Sequence, residues 1–333
     1  MSDSPFDDLR RQYVDLAQPR LGSEVIYATD DFFADKSRLI DPAAPVWKQG
    51  VYDGNGKWMD GWESRRKRTP GHDWCVIRLG VPGVVAGFEI DTAYFTGNYP
   101  PDAQLEVLNT QEPAPAEDAA WIPVTPKLDL KGDDRLWVAI EHAYPVTHVR
   151  LHIYPDGGVA RLRVWGRVLP DWSKVGAREA IDLLATANGG RGIIANNEHY
   201  GVVANLTAPG RGVNMGDGWE TRRRRETGHD WAVLELGALG HVREITVDTA
   251  HFKGNYPDRC SIQAAAKAQG APAEIAAQSE TWPVLLPEMK LAADTEHRFK
   301  IERSGLGPVK FVRLNIFPDG GVSRLRVVGT LAR

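Results

Sequence analysis

Residues 149–166 read VRLHIYPDGGVARLRVWG, and residues 312–329 read VRLNIFPDGGVSRLRVVG. Fourteen of these 18 aligned positions are identical. In each copy, apolar and polar residues alternate on both sides of a Pro-Asp-Gly-Gly turn. This is the pattern of two half-buried antiparallel strands joined by a turn. The repetition predicts two domains that each contain this strand pair.

A second block is duplicated upstream, at residues 60–100 and 217–257, where 24 of 41 aligned positions are identical. The identical residues include Trp, His, Asp, Asn and Arg, so both domains are predicted to carry one polar constellation. The offset between the copies is 167 near residue 26, 157 in this block and 163 at the strand pair. These shifts place length changes at about residues 41–58 and 110–140, in surface loops.

Many short strands separated by Gly and Pro turns predict an all-β fold with one β-sandwich per repeat. We expect strands at Trp74–Leu79, which ends at Gly80, and at Phe88–Phe95. Two short stretches have helical character, Asp8–Leu16 and Ala177–Ala187. The run Arg161–Gly166 should lie near the middle of a sheet because it lacks proline.

The domain boundaries follow from the extent of the repeats. The length of 333 residues fits two domains. We assign residues 16–168 to the first sandwich, residues 183–333 to the second, and residues 169–182 to a connector.

Composition excludes several classes of protein. Hydrophobic content of 42% and charged content of 25% are those of an ordinary globular protein, and the net charge of −4 favours neither nucleic acid nor membrane partners. There is no apolar run near the ~20 residues of a membrane helix, nor an apolar N-terminal segment. The two cysteines, Cys75 and Cys260, are not at equivalent positions, which argues against a disulfide framework or a thiolate zinc site. The simplest compartment is the cytoplasm.

The motif Gly-His-Asp-Trp occurs as His72-Asp73 and as His229-Asp230. A histidine beside an aspartate could form a general base with its orienting carboxylate, although adjacent strand residues point to opposite faces. The alternative is structural: the histidine caps the strand and the aspartate holds a turn.

A glutamate, Glu63 or Glu220, precedes a basic run at residues 65–68 or 222–225. The run could be a solvated loop, or some of its arginines could fork onto a carboxylate. Nucleic acid binding is disfavoured because the chain is acidic and no aromatic stacking platform accompanies the run.

The motif Asp-Thr-Ala-x-Phe-x-Gly-Asn-Tyr-Pro spans residues 91–100 and 248–257. The copies differ at two positions, which are Tyr94 against His251 and Thr96 against Lys253. Because only the second copy carries the extra His and Lys, we predict that the second repeat is the more catalytic. Together with His229, the residues Asp248 and His251 and a glutamate could form a His/His/Asp/Glu set for a divalent ion such as Mn²⁺ or Ca²⁺, but no compact ligand spacing supports one.

Other catalytic signatures are missing. The sequence contains no Gly-rich phosphate loop that opens a helix, no Gly-x-Ser-x-Gly elbow and no His-Glu-x-x-His. Nucleotide-dependent enzymes and serine hydrolases are therefore disfavoured.

Together the duplicated motifs Asp-Gly-Trp-Glu-(Ser/Thr)-Arg-Arg, Gly-His-Asp-Trp, Asp-Thr-Ala-(Tyr/His)-Phe-x-Gly-Asn-Tyr-Pro and Pro-Asp-Gly-Gly-Val-x-Arg-Leu-Arg resemble those of the allantoicase family. The likeness runs from about residue 16 to residue 329. It implies two galactose-binding-like jelly-roll sandwiches, hydrolysis of allantoate to ureidoglycolate and urea in purine degradation, and a homo-oligomer. Two alternatives stay open: a non-catalytic tandem sandwich that binds carbohydrate or a small anion, and a related hydrolase acting on ureidoglycolate.

Loss of urea from allantoate needs an anion receptor, an acid for the leaving nitrogen, and a base for water or the remaining ureido N–H. The predicted catalytic residues are Glu220, His229, Asp230, Asp248, His251 and Lys253. The predicted substrate-binding residues are Arg222, Arg223, Asn255, Arg324 and Arg326. Their first-repeat equivalents are Glu63, His72, Asp73, Asp91, Asn98 and Arg161.

Overall fold

The computed structural model describes residues 12–302 and 305–332. The chain divides into two compact units between Leu169 and Pro170. Both units consist mainly of antiparallel strands, so the predicted all-β fold with tandem sandwiches is confirmed. Within the described ranges, no helix is long and apolar enough to cross a membrane.

The first unit contains thirteen strands among its described residues. They are β1 (Val14–Asp15), β2 (Glu24–Ala28), β3 (Tyr52–Asp53), β4 (Gly56–Lys57), β5 (Trp62–Glu63), β6 (Asp73–Asp91), β7 (Asp102–Leu108), β8 (Ile122–Pro123), β9 (Leu128–Asp129), β10 (Arg135–Ala139), β11 (Val146–Tyr154), β12 (Gly158–Val159) and β13 (Arg161–Val168). Short 3₁₀ helices span Pro19–Leu21 and Lys36–Ile40.

The second unit repeats this order with fewer strands. Its strands are β14 (Ile181–Asp182), β15 (Arg191–Ala195), β16 (Trp219–Glu220), β17 (Asp230–Asp248), β18 (Arg259–Ala265), β19 (Val284–Lys290), β20 (Glu296–Lys300), β21 (Val309–Phe317), β22 (Gly321–Val322) and β23 (Arg324–Leu331), and it has one eight-residue helix, α1 (Pro272–Ser279). Its 3₁₀ helices span Trp172–Lys174, Thr186–Asn188, Val203–Thr207 and Met215–Asp217.

One 19-residue strand organises each unit. The first half of β6 pairs with β2 and β11, and its second half pairs with β10 and β13. In the second unit, the first half of β17 pairs with β15 and β21, and its second half pairs with β20 and β23. Because the partners change partway along the strand, each long strand contributes to both layers of its sandwich. The apolar core lies between these layers and includes the fully buried Trp62 and Trp219.

The prediction of two separate strands over residues 74–95 was therefore wrong. Gly80 lies within this strand and does not end it. A Cβ at Gly80 would lie 2.0 Å from the carbonyl oxygen of Leu21, so this position needs glycine for packing. The glycine permits a close backbone approach within one long strand. The strand ends at Asp91 instead of Phe95, since Tyr94 adopts a φ of 67° in a turn.

The predicted helix at 177–187 was also wrong. Residues 181–182 pair with β23, and the Asp182 carboxylate accepts the backbone N–H groups of Leu184 and Val327. Residues 181–182 therefore belong to the main sheet of the second unit, although we assigned them to the connector. Of the helix predicted at 8–16, residues 8–11 lie outside the described residues, and Val14–Asp15 form the equivalent strand. Helical propensity mispredicts the segment at 177–187, because the Asp182 side chain accepts backbone N–H groups in place of the hydrogen bonds of a regular β-ladder.

Both cysteines are buried and free. Burial raises the pKa of the Cys260 thiol to about 12 and raises that of Cys75 further. Neither thiol is therefore a reactive nucleophile.

Candidate functional site

Three of the duplicated motifs meet in each unit. The two-residue strand β5, which carries Glu63, pairs with β12 of the Pro-Asp-Gly-Gly motif. The N–H of Gly158 in β12 donates to the backbone carbonyl of Asn98, 2.7 Å away. The second unit has the same arrangement, with β16 paired to β22 and the Gly321 N–H bonded to the Asn255 carbonyl at 2.8 Å.

The second glycine of Pro-Asp-Gly-Gly is needed for packing. A Cβ at Gly158 would lie 1.9 Å from the ring of Phe95, and one at Gly321 would lie 2.0 Å from the ring of Phe252. Both phenylalanines are fully buried. A side chain at either glycine would push the motif away from the loop that carries Asn98 or Asn255.

This packing brings a glutamate and an asparagine together in each repeat. Asn98 Nδ2 donates to Glu63 Oε1 at 2.7 Å, and Asn255 Nδ2 donates to Glu220 Oε1. Glu63 is only 8% exposed, and burial raises the pKa of its carboxyl against the opposing effects of Asn98 and Lys57. Burial favours the neutral form of this carboxyl, which is the form that can donate a proton.

The first-repeat pocket contains this Glu63–Asn98 pair. Its volume is about 780 Å³. It is lined by Phe33, Trp47, Lys57, Met59, Glu63, Tyr94, Thr96, Gly97, Asn98 and Asp133. An acid, an amide, a cation and aromatic rings therefore surround one space, which suits a small polar ligand.

The second-repeat pocket contains the Glu220–Asn255 pair and is smaller, at about 430 Å³. It is lined by Tyr200, Glu220, Thr221, Arg223, Gly254, Asn255, Tyr256, Asp258, Pro318, Asp319 and Gly320. Its cation is Arg223, from the basic run. Of the predicted substrate-binding residues, Arg223 and Asn255 lie here, whereas Arg222 is exposed and pairs with Glu226 at 2.7 Å.

The predicted His–Asp pairing does not form in either repeat. Asp73 is buried, binds Lys67 Nζ at 2.6 Å and accepts the Thr29 hydroxyl. Asp230 is equally buried and binds Arg224 at 2.5 Å. Because adjacent strand residues point in opposite directions, these aspartates hold the basic loop and do not orient the histidines.

The histidines of the same motif make separate contacts. His72 Nε2 lies 2.9 Å from Nδ1 of His152, whose Nε2 donates to Glu106 at 2.9 Å. In the second repeat, His229 Nε2 donates to Asn315 Oδ1 at 3.1 Å. Neither His72 nor His229 is among the residues that line the pockets.

The ends of the long strands hold turns. Asp91 Oδ1 accepts the N–H of Ala93, and Asp248 Oδ1 accepts the N–H of Ala250. Both aspartates are 3% exposed, which favours a structural role for them.

His251 and Lys253 lie on a loop after the strand, which ends at Asp248. His251 has a φ of 70°, and its Nε2 donates to the carbonyl of Gly212 at 2.8 Å. Lys253 is exposed. Neither is among the lining residues of the second pocket, whereas their counterparts Tyr94 and Thr96 line the first.

The arginines of the last strand are directed inward. Arg161 and Arg324 are 2% exposed and pair with Asp60 at 2.9 Å and Asp217 at 2.8 Å. Arg326 donates to the carbonyl of Ala208 at 2.7 Å. Their guanidinium groups are committed to the fold, so the geometry does not favour the predicted substrate-binding role of Arg324 and Arg326.

Within 12–302 and 305–332, no three His, Cys, Asp or Glu side chains are grouped so that they could hold a metal ion. The predicted His/His/Asp/Glu set is not assembled.

Comparison with known proteins gives one consistent result. A family model described as the allantoicase repeat matches residues 14–169 and again residues 181–332. A Burkholderia mallei protein named "Probable allantoicase 1" is 53% identical over 331 residues, which cover 99% of this chain and 98% of that protein. The crystal structure of allantoicase from Saccharomyces cerevisiae matches with a TM-score of 0.81 and 34% identity, covering 98% of each chain. This chain belongs to the allantoicase family.

Sequence reasoning missed two pocket residues of this allantoicase family member, Trp47 and Lys57. Both lie in the segment where the repeat offset falls from 167 to 157, so the first repeat is ten residues longer there (167 − 157 = 10). That length difference is visible in the sequence, where it predicts only a variable surface loop. Asp133, which accepts the Tyr94 N–H at 2.8 Å, lies in the other variable loop.

Proposed function

We propose that this chain is an allantoicase, a hydrolase of purine degradation that converts allantoate and water to ureidoglycolate and urea, and that its main active site is the first-repeat pocket. The observation that carries the choice of pocket is the buried Glu63, held by Asn98 within a cavity large enough for a small anion. The family membership of the whole chain supports the reaction.

Glu63 has the properties that the chemistry requires. Hydrolysis breaks one C–N bond of allantoate and forms a C–O bond, so the leaving nitrogen gains a proton and water loses one. In its protonated form Glu63 donates to the leaving ureido nitrogen, and the resulting carboxylate then takes a proton from the water that adds to the same carbon. The cycle restores Glu63 without net proton change.

Asn98 is assigned a positioning role. Its amide donates to one carboxyl oxygen of Glu63 and fixes the orientation of the group. The backbone of Asn98 is itself tied to Gly158, so the pair is held by the packed motifs. A rigid support of this kind keeps an acid–base group in productive geometry.

This assignment reverses the expectation that the second repeat is the more catalytic. The extra His251 and Lys253 that motivated it do not line the second pocket, and that pocket is smaller. The second repeat retains the Glu220–Asn255 pair, so we propose that it contributes less to turnover.

The test is incubation of the purified protein with allantoate and, in parallel, with ureidoglycolate, followed by colour assays for urea and glyoxylate. We expect urea and ureidoglycolate from allantoate. Absence of urea, with and without added Mn²⁺, would contradict the proposal and favour a binding protein. Urea from ureidoglycolate alone would favour the related hydrolase.

We further propose that the protein is cytoplasmic and homo-oligomeric and that a divalent ion such as Mn²⁺ or Ca²⁺ could assist it. Light scattering of the purified protein tests the assembly, and a single-chain mass would contradict it. Activity after EDTA treatment, then with each ion restored, tests the metal.

A further inference from the structure

The first repeat has a hairpin beside its pocket. It consists of β3 and β4, paired from Tyr52 to Lys57, within the segment that is ten residues longer than its counterpart (167 − 157 = 10). Lys57, at the end of the hairpin, and Trp47, before it, both line the pocket that contains Glu63. At the position of Lys57 the second repeat has Asn214. The hairpin therefore supplies a cation that only the first pocket has in this place.

The ammonium group of Lys57 is positioned by an aromatic ring. Its Nζ lies 4.0 Å from the centroid of the Trp47 ring, and Trp47 in turn contacts Tyr94 with centroids 5.9 Å apart. A cation over an indole face is stabilised without being neutralised. Tyr94 lines the same pocket, so the rings connect the hairpin to the loop that follows β6.

Lys57 also forms no direct ion pair with a described residue, although its charge opposes the effect of burial on the pKa of Glu63. Among residues 12–302 and 305–332, no carboxylate lies within ion-pair distance (4.0 Å) of its Nζ. By contrast, Arg65 of the basic run is paired with Asp30 at 2.6 Å, and Arg161 is buried against Asp60. Lys57 is the cation among the lining residues, which also include two acids, Glu63 and Asp133. An anionic ligand entering this pocket needs a positive charge, and Lys57 provides it.

We propose that Lys57, held over Trp47, is the receptor for the carboxylate of the substrate and determines the specificity of the first pocket for an anionic diureide. This inference rests on the proposed function. The ammonium binds the one charged group of allantoate and leaves the two neutral ureido groups toward Glu63 and Asn98. Lys57 thereby takes the role that the sequence assigned to arginines, one of which, Arg324, the fold has buried.

The experiment compares allantoate with methylenediurea, which has the two ureido groups on one carbon but no carboxylate. In Lys57→Gln, we expect KM for allantoate to rise by about tenfold or more, because a charge-assisted hydrogen bond is lost. The inhibition constant of methylenediurea should stay unchanged. Lys57→Arg should recover part of the affinity, and Trp47→Leu should raise KM for allantoate by about threefold through loss of the cation–π contact.

The matched control is Lys48→Gln. Lys48 lies over Trp58 with Nζ 4.3 Å from the ring centroid and is not among the lining residues, so KM should not change. If wild-type protein releases urea from allantoate but Lys57→Gln has an unchanged KM, or weakens both ligands equally, the receptor role is wrong while the function stands. If wild-type protein releases no urea, the proposed function itself fails.

Discussion

The pockets of the two repeats share a framework and differ in their lining. Each has a glutamate on a two-residue strand, bonded to an asparagine whose backbone is bound by the Pro-Asp-Gly-Gly motif. The first pocket adds Trp47, Lys57 and Tyr94, while the second adds Arg223 and Tyr200. Most of the duplicated polar residues outside the Glu–Asn pairs serve the fold. In the first pocket, two of the added residues lie where the copies differ, which are Lys57 against Asn214 and Tyr94 against His251.

The largest difference is expected for the two glutamates. Glu63→Gln keeps the shape of the side chain and the bond from Asn98 but removes the titrating proton. If Glu63 is the acid–base group, kcat should fall by roughly 10²–10⁴-fold. Glu220→Gln is the matched variant in the smaller pocket and should reduce kcat by much less. Steady-state kinetics with allantoate measures both.

An equal loss in the two variants would mean that the repeats contribute alike. A larger loss in Glu220→Gln would restore the second repeat as the main active site. Circular dichroism of each variant checks that the fold is intact, since both glutamates lie where three motifs meet.

The next comparison concerns the buried arginines, where the repeats should behave alike. Arg161→Ala and Arg324→Ala each remove the arginine from a largely inaccessible carboxylate, the half-buried Asp60 or the buried Asp217. We expect the free energy of unfolding of the affected unit to fall by about 3–5 kcal/mol. Denaturant melts followed by tryptophan fluorescence measure this, with each unit allowed its own transition.

The control is Arg65→Ala, which removes an ion pair with Asp30 in which the arginine is exposed, and it should cost about 1 kcal/mol or less. If Arg324→Ala kept its stability and lost affinity for allantoate, the substrate-binding role predicted from the sequence would be correct.

The sequence predicted the tandem β-sandwich fold well, because the alternation in β11, β13, β21 and β23 and the duplicated turns depend on local physics. It also named Glu63, Asn98, Glu220 and Asn255 as candidate residues, but it did not predict that they pair. It could not show that Asp73 faces Lys67 or that Arg324 faces Asp217, because these contacts depend on tertiary direction. It could not assign Lys57 either, since a length difference in a loop does not reveal that the loop walls a pocket.

The smallest expected effect is a difference between the two repeats in how their stability depends on pH. In the first repeat His152 donates to Glu106 and its other ring nitrogen contacts His72, whereas in the second Asn315 makes the corresponding contacts with His229 and Gln263. Burial lowers the pKa of His152 and of His72. Folding therefore opposes protonation of these rings, and the stability of the first repeat should fall as pH drops through about 6.5, the ordinary histidine pKa.

His152→Asn copies the neutral arrangement of the second repeat and should weaken this pH dependence. Partial burial raises the pKa of Glu106, but hydrogen bonds from His152 and Arg150 lower it more, so it lies below its usual value. The stability that ionised Glu106 contributes is therefore lost only at more acidic pH. Thermal melts between pH 8 and pH 5 test the difference, with His148→Asn as a second histidine on the same strand outside the network. His148 also has a pKa lowered by burial, so its removal should weaken the slope without affecting the His72–His152 contact. Equal slopes in wild-type protein and His152→Asn would show that the histidine pair does not limit the acid stability of the first repeat.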